Sequence, residues 1–185
     1  MPAFPIHTVE SAPPRSKPPL EALRGAFGVI PNIAGAMATS PVLIDSLVGL
    51  FGKIHSGSFS EAQIQIVLLT NAVTNACSWA VAFHSFLAMK EGVDVADVDA
   101  IRERRLPREA KNAALSTLAR TLIERRGHLG DQDASAFLQA GFDEHHLLEV
   151  VAIVAASTIT NYTGNITHPP LEETLQASRW HTRKD

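Results

Sequence analysis

An all-α domain is the fold the sequence predicts, on three observations. Apolar residues recur at helical spacing through most of the 185-residue chain. The segments so formed begin at residues that cap helices well, among them Ser40, Ser60 and Asp143. No stretch alternates apolar and polar residues as a half-buried strand does, and there is no internal repeat and no glycine-rich phosphate loop. With 45% hydrophobic and 19% charged residues the composition is that of an ordinary globular chain, long enough for one well-buried core. A net charge of −3 and a pI near 6.2 give no global case for nucleic acid as a partner. No sufficiently uninterrupted apolar run suggests a membrane span. The single cysteine rules out a disulfide scaffold and fits a reducing compartment. The first residues lack a basic region followed by an apolar core, so no secretory signal is expected and the expected location is the cytoplasm.

Residues 1–19 hold six prolines and little periodicity. Because proline fixes φ and lacks an N–H, they read as an extended arm, either disordered or laid across a neighbouring subunit. The helical domain is expected over residues 20–178, followed by a polar tail at 179–185. It opens with a short helix at 20–27, a turn at 28–32 and a helical segment to Ala38. Ser40-Pro41 then marks a helix start, with proline at the first helical position, and residues 42–56 are expected to bury Leu43, Leu47, Leu50, Phe51 and Ile54. His55, at the end of that helix, reads as a dipole or solvent partner.

Later elements follow the same logic. A short helix is predicted over 94–102, an amphipathic one over 109–126 with Ala113, Leu115, Leu118, Ala119, Leu122 and Ile123 inward, and another over 131–140 ended by Gly141. Arginines bordering the 109–126 helix are interspersed with Glu103, Glu109 and Glu124, which points to a solvated, salt-bridged face. Asp143 caps a long closing helix to about Ile166, punctuated by Ala152, Ala155, Ala156 and Ser157 as close helix packing requires. The eight histidines include no pair three or four residues apart and no H-E-x-x-H, so no metal and no other cofactor is expected.

The chemistry concentrates in residues 59–92, FSEAQIQIVLLTNAVTNACSWAVAFHSFLAMKEG. Ser60 caps a strongly apolar helix, and the poor helix formers at 74–78 predict a break. A second helix starts near Cys77. On it, Cys77, Ala80 or Val81, and His84 share one stripe, with the thiol at the N-terminal end, where free N–H groups favour a thiolate. Each candidate also has a plainer role. Cys77 can be an inert buried thiol, His84 a core histidine with its nitrogens satisfied, and Trp79 a packing residue rather than a pocket wall.

This stretch resembles the AhpD-like alkylhydroperoxidase and carboxymuconolactone decarboxylase family. That family's signature is a glutamate, Cys-x-x-Cys a dozen residues on, then three residues and a histidine. Gly28 to Asn32 with Ser40-Pro41 is similar to the family's N-terminal part. Leu148 to Val151, Asn161-Tyr162 and Pro170-Leu171 are similar to its closing helix and tail, so the likeness spans about residues 20–175. The resemblance implies an AhpD-like helical bundle assembled into a homo-oligomer, a trimer or hexamer. It places Cys77 and His84 as catalytic residues.

The departures are as informative. Ala80 stands at the second cysteine and Gln65 at the glutamate, so the dithiol–disulfide cycle the resemblance implies cannot run. Glu61, one turn before Gln65, either partly replaces the lost carboxylate or faces solvent. Two functions stand at this point. One is a one-cysteine alkylhydroperoxidase of peroxiredoxin type, an antioxidant oxidoreductase in which Cys77 attacks a hydroperoxide and an external thiol, or Cys77 of another subunit, reduces the sulfenic acid. The other is a non-redox lyase-like enzyme or small-molecule-binding module. In either, Gln65, Glu61, Trp79 and Ala80 are the remnant of the relay or line the pocket for a small organic substrate.

Overall fold

Ten consecutive residues from Ile64 to Val73 are buried, and the helix carrying them is the centre of the molecule. The computed structural model describes residues 3–181, which form nine α-helices and two short 3-10 turns, with no strand among the described residues. In order these are α1 (Lys17–Phe27), α2 (Asn32–Met37), α3 (Pro41–Ile54), α4 (Glu61–Thr74), α5 (Ser78–Lys90), α6 (Val95–Arg102), α7 (Ala110–Glu124), α8 (Asp131–Gln139) and α9 (Glu144–Thr167), with 3-10 turns at Pro14–Ser16 and Glu173–Ser178. Helix α4 is surrounded on all sides, with buried Gln65, Thr70 and Asn71 among its apolar residues, and α5, α6, α7 and α9 pack around it.

The predicted caps are in place. Ser40 Oγ accepts from the Leu43 N–H at 3.3 Å, and Asp143 Oδ1 from the His146 N–H at 2.9 Å. Ser60 accepts from the Gln63 N–H at 3.3 Å while Gln63 Oε1 accepts from the Ser60 N–H at 3.1 Å, closing a reciprocal pair. Each such cap stabilises its helix by about 1 kcal/mol.

The break between α4 and α5 also forms, and its geometry is specific. Cys77 N–H donates to Ala72 O at 2.9 Å and Ala76 N–H to Val73 O at 3.1 Å, the double closure of a left-handed helix terminus. Ala76 sits at φ 52, where glycine is usual, at a cost of roughly 1–2 kcal/mol. Asn165 Nδ2 on α9 donates to Asn75 O at 2.8 Å and helps hold the turn. The chain therefore enters α5 at a fixed angle, with Cys77 as its N-cap residue.

Several expectations need correction. Residues 3–19 are not an unpacked arm. His7 N–H donates to Gly35 O at 3.1 Å, Ser16 Oγ to Ala38 O at 2.7 Å, and Ala12 is buried. A Cβ on Gly35 would stand 2.7 Å from Ile6 Cγ2 and 2.9 Å from His7 O, so the glycine is what lets the arm lie against α2. Two prolines begin α1, where missing N–H groups cost nothing, so proline content did not imply absence of packing. In α3, Ile44 joins Leu47 and Ile54 in the core, whereas Leu43, Leu50 and Phe51 are half-buried. The tail segment is tied down at its start, since Trp180 Nε1 donates to Arg102 O at 3.2 Å. Residues 182–185 lie outside the described ones.

The arginine-rich surface is salt-bridged as expected, with Arg104 to Glu124 at 2.5 Å and Arg105 to Glu103 at 2.7 Å. By length and composition alone α9 is long and apolar enough to cross a membrane. Here it packs against α2, α3, α4, α5 and α7 and carries buried Ser157, Thr160 and Asn161 on its inner face.

Candidate active site

Cys77 is set by the left-handed turn before it and the first turn of α5 after it. Its side chain is 1% exposed. Backbone N–H groups of Ala80 and Trp79 reach the sulfur, as a helix N-terminus should provide, yet burial is the larger influence and pushes the thiol above its ordinary pKa. The expectation of a thiolate favoured by the helix end is thus corrected: desolvation outweighs the N–H groups. The sulfur lies against α9, where a Cβ on Gly164 would come within 2.6 Å of Sγ. Only glycine at 164 permits that approach.

One stripe further along α5, His84 is 2% exposed. Its Nδ1 is 2.9 Å from Gln65 Oε1 on α4. An amide oxygen only accepts, so Nδ1 carries the proton and Nε2 presents a lone pair. That Nε2 is buried and has no partner. Burial first, and the field of His55 second, hold the pKa of His84 down to about 3, so the imidazole is neutral across physiological pH. Gln65 thus retains contact with His84 and fixes its tautomer.

His84 opens onto a cavity of about 260 Å³ between α1, α3, α5 and α9. Its wall is chiefly apolar, including Leu23, Leu47, Phe51 and Ile33. Trp79 stacks on Phe83 with centroids 4.9 Å apart, and Phe27 meets Phe83 edge-on at 5.5 Å. Trp79 Nε1 donates to Glu172 Oε2 at 2.9 Å, and the other oxygen of Glu172 accepts from the Asn32 N–H at 2.6 Å. One carboxylate thereby joins the C-terminal segment, α2 and the cavity wall. Trp79 is both pocket wall and packing residue. A hollow of about 320 Å³ between α7 and α8 contains none of the predicted site residues.

The structure places Cys77 as the cap of α5 and Trp79, Ala80 and His84 on that helix, all buried, and joins His84 to buried Gln65 in the middle of α4. Of these, His84 and Trp79 line the cavity, while Cys77, Ala80 and Gln65 stand outside its wall. Glu61 does not join them. It pairs with His55 at 2.8 Å on the surface, so it does not replace the carboxylate missing at Gln65. Sequence reasoning did not single out Thr160, which lines the cavity with a buried, unpartnered hydroxyl, nor Phe83 and Glu172, and it read His55, which also lines the cavity, as a dipole or solvent partner. A polar residue on the inner face of an apolar helix was the available signal for Thr160. Nothing local marks Glu172. Among the described residues no three His, Cys, Asp or Glu side chains converge as a metal site would require.

No protein-family model and no curated protein matches the sequence. Solved structures do. The alkylhydroperoxidase AhpD core structure of an uncharacterized peroxidase-related protein from Ralstonia eutropha JMP134 superposes with a TM-score of 0.82 at 14% identity, covering 93% of each chain. The fold is AhpD-like. A peroxidase-related protein from Silicibacter sp. TM1040 matches this AhpD-like chain at TM-score 0.77 and 14% identity, over 93% of this chain and 91% of that one. The debrominase Bmp8 matches at TM-score 0.76 and 20% identity over 95% of each chain, and its cysteine-to-alanine variant was solved in complex with 2,3,4-tribromopyrrole. At these identities the likeness establishes the fold of the AhpD-like chain and leaves its chemistry to its own residues.

Proposed function

We propose that this AhpD-like protein is a cysteine-dependent oxidoreductase for small, largely apolar organic hydroperoxides. The observation that carries the reading is the arrangement along α5: a lone cysteine capping the helix, two turns before a neutral histidine that faces an apolar cavity. In this reading the hydroperoxide O–H donates to His84 Nε2, which orients the O–O bond. The sulfur of Cys77 attacks the terminal oxygen as the helices part, the O–O bond breaks, and the thiol proton goes to the leaving alkoxide to give an alcohol. Cys77 is left as a sulfenic acid. One external thiol then forms a mixed disulfide with loss of water, and a second releases Cys77 and a small-molecule disulfide. Ala80 supplies no resolving thiol, so reduction from outside follows directly.

The test is chemical. With cumene hydroperoxide and dimedone, mass spectrometry is expected to find the adduct on Cys77. With dithiothreitol the peroxide is expected to be consumed catalytically, at a rate that falls to background in Cys77→Ser. No adduct, or equal consumption by the variant, would end this reading. A second reading, a non-redox lyase-like or small-molecule-binding protein on the same cavity, is favoured by the burial of Cys77 and its raised pKa. It predicts ligand binding with the cysteine unreacted.

We also infer a homo-oligomer. Leu148, Val151, Tyr162 and Ile166 are exposed on α9 and, at 100° per residue, fall within a stripe about 60° wide. Such a stripe suits the same stripe of a second copy. Light scattering at micromolar concentration is expected to give a multiple of 19.9 kDa, and a monomer would refute this.

A further inference from the structure

Two residues that line the cavity each bury a polar atom without a partner, His84 Nε2 and Thr160 Oγ1. Both residues are more than nine-tenths buried, and buried polar groups are almost always hydrogen-bonded. The case of Thr160 is sharpened by its neighbours on α9. Thr158, Thr163 and Thr167 each donate their hydroxyl to the carbonyl one turn earlier, at 2.8 Å. Thr160 does not, so its hydroxyl is left free for something outside the helix. The other titratable group on the wall, His55, is occupied by Glu61.

The two atoms differ in kind. With its other nitrogen committed to Gln65, His84 Nε2 can only accept. A threonine hydroxyl can donate. The remaining wall is aliphatic and aromatic, with no charged group inside to meet an ion.

We propose that the cavity binds a small, neutral, largely apolar molecule bearing both a hydrogen-bond donor, received by His84 Nε2, and an acceptor, met by the Thr160 hydroxyl. Hydroxyl-type groups on an apolar frame, such as phenols, alcohols and hydroperoxides, have both. The inference rests on the cavity being the substrate site of the reading above and adds Thr160 as a binding and specificity residue. It does not depend on thiol chemistry.

Binding measured by ligand-detected NMR with three near-isosteric probes tests it. 4-Ethylphenol has donor and acceptor, 4-ethylanisole an acceptor only, and 4-ethyltoluene neither. Affinity is expected to fall in that order, about threefold to tenfold per step. Thr160→Val removes an unpartnered hydroxyl at constant shape, so the fold should be unharmed and slightly more heat-resistant without ligand. In that variant 4-ethylanisole and 4-ethyltoluene should bind alike, while 4-ethylphenol keeps its advantage over both. Equal binding of all three probes to the wild type, as when resident waters already satisfy both atoms, would overturn the proposal. So would no binding of any probe, or an order unchanged in Thr160→Val. No turnover is read, so a failed peroxidase assay beside an intact affinity order separates the two readings.

Discussion

Acidification from pH 7 to 4.5 is expected to cost the fold roughly 2–3 kcal/mol through His84 alone. The unfolded chain takes up a proton on this imidazole near the ordinary 6.5, but the folded chain holds it down to about 3. Between those values the unfolded state binds more protons, so stability is complete above 6.5, falls as pH falls, and levels off below about 3. The full difference approaches roughly 5 kcal/mol, a large share of a typical domain's stability. Urea unfolding of wild type and His84→Gln at both pH values isolates the effect. Asp94, Asp143 and Glu10, held below the usual carboxylate range, lose stability in the same direction at lower pH, and they are common to both proteins. If both proteins lose the same stability on acidification, His84 is not held neutral by the fold.

Leu68→Ala is expected to destabilise by about 2–5 kcal/mol. Leu68 is fully buried in α4, the helix surrounded by α5, α6, α7 and α9, so no surface loop can relax into the space left behind. The melting temperature should fall by roughly 5–15 °C for a chain of this size. The control is Val42→Ala, which trims an exposed residue of α3 outside the α9 stripe and should change stability by less than about 0.5 kcal/mol. A Leu68 variant that melts within 2 °C or so of wild type would remove α4 from the centre of the fold.

What could be read from sequence was local. Ser40, Ser60 and Asp143 cap where their side chains said they would, because a cap is decided within four residues. The break before Cys77 was equally local. What failed depended on distant chain segments. The N-terminal arm packs because Gly35 leaves room for Ile6 and His7. The thiol is raised because α9 covers it at Gly164, and no property of α5 could reveal that. Leu50 and Phe51 follow core periodicity but are half-buried, Phe51 because it walls a cavity, and periodicity does not distinguish a filled interior from a hollow one. Glu172 reaches Trp79 and Asn32 across 93 and 140 residues of chain, beyond any motif.

The seating of Cys77 against Gly164 makes the molecule its own stopwatch. A reagent can meet the sulfur only in the moments when α5 and α9 separate, so when reclosing is fast the labelling rate equals the intrinsic thiol rate times the fraction of time spent open. With one cysteine in the chain, every labelling event reports that single crevice. Labelling kinetics thus measure how often this junction breathes, and a molecule that settles in the neighbouring cavity and holds the helices together should slow the clock in proportion to its occupancy.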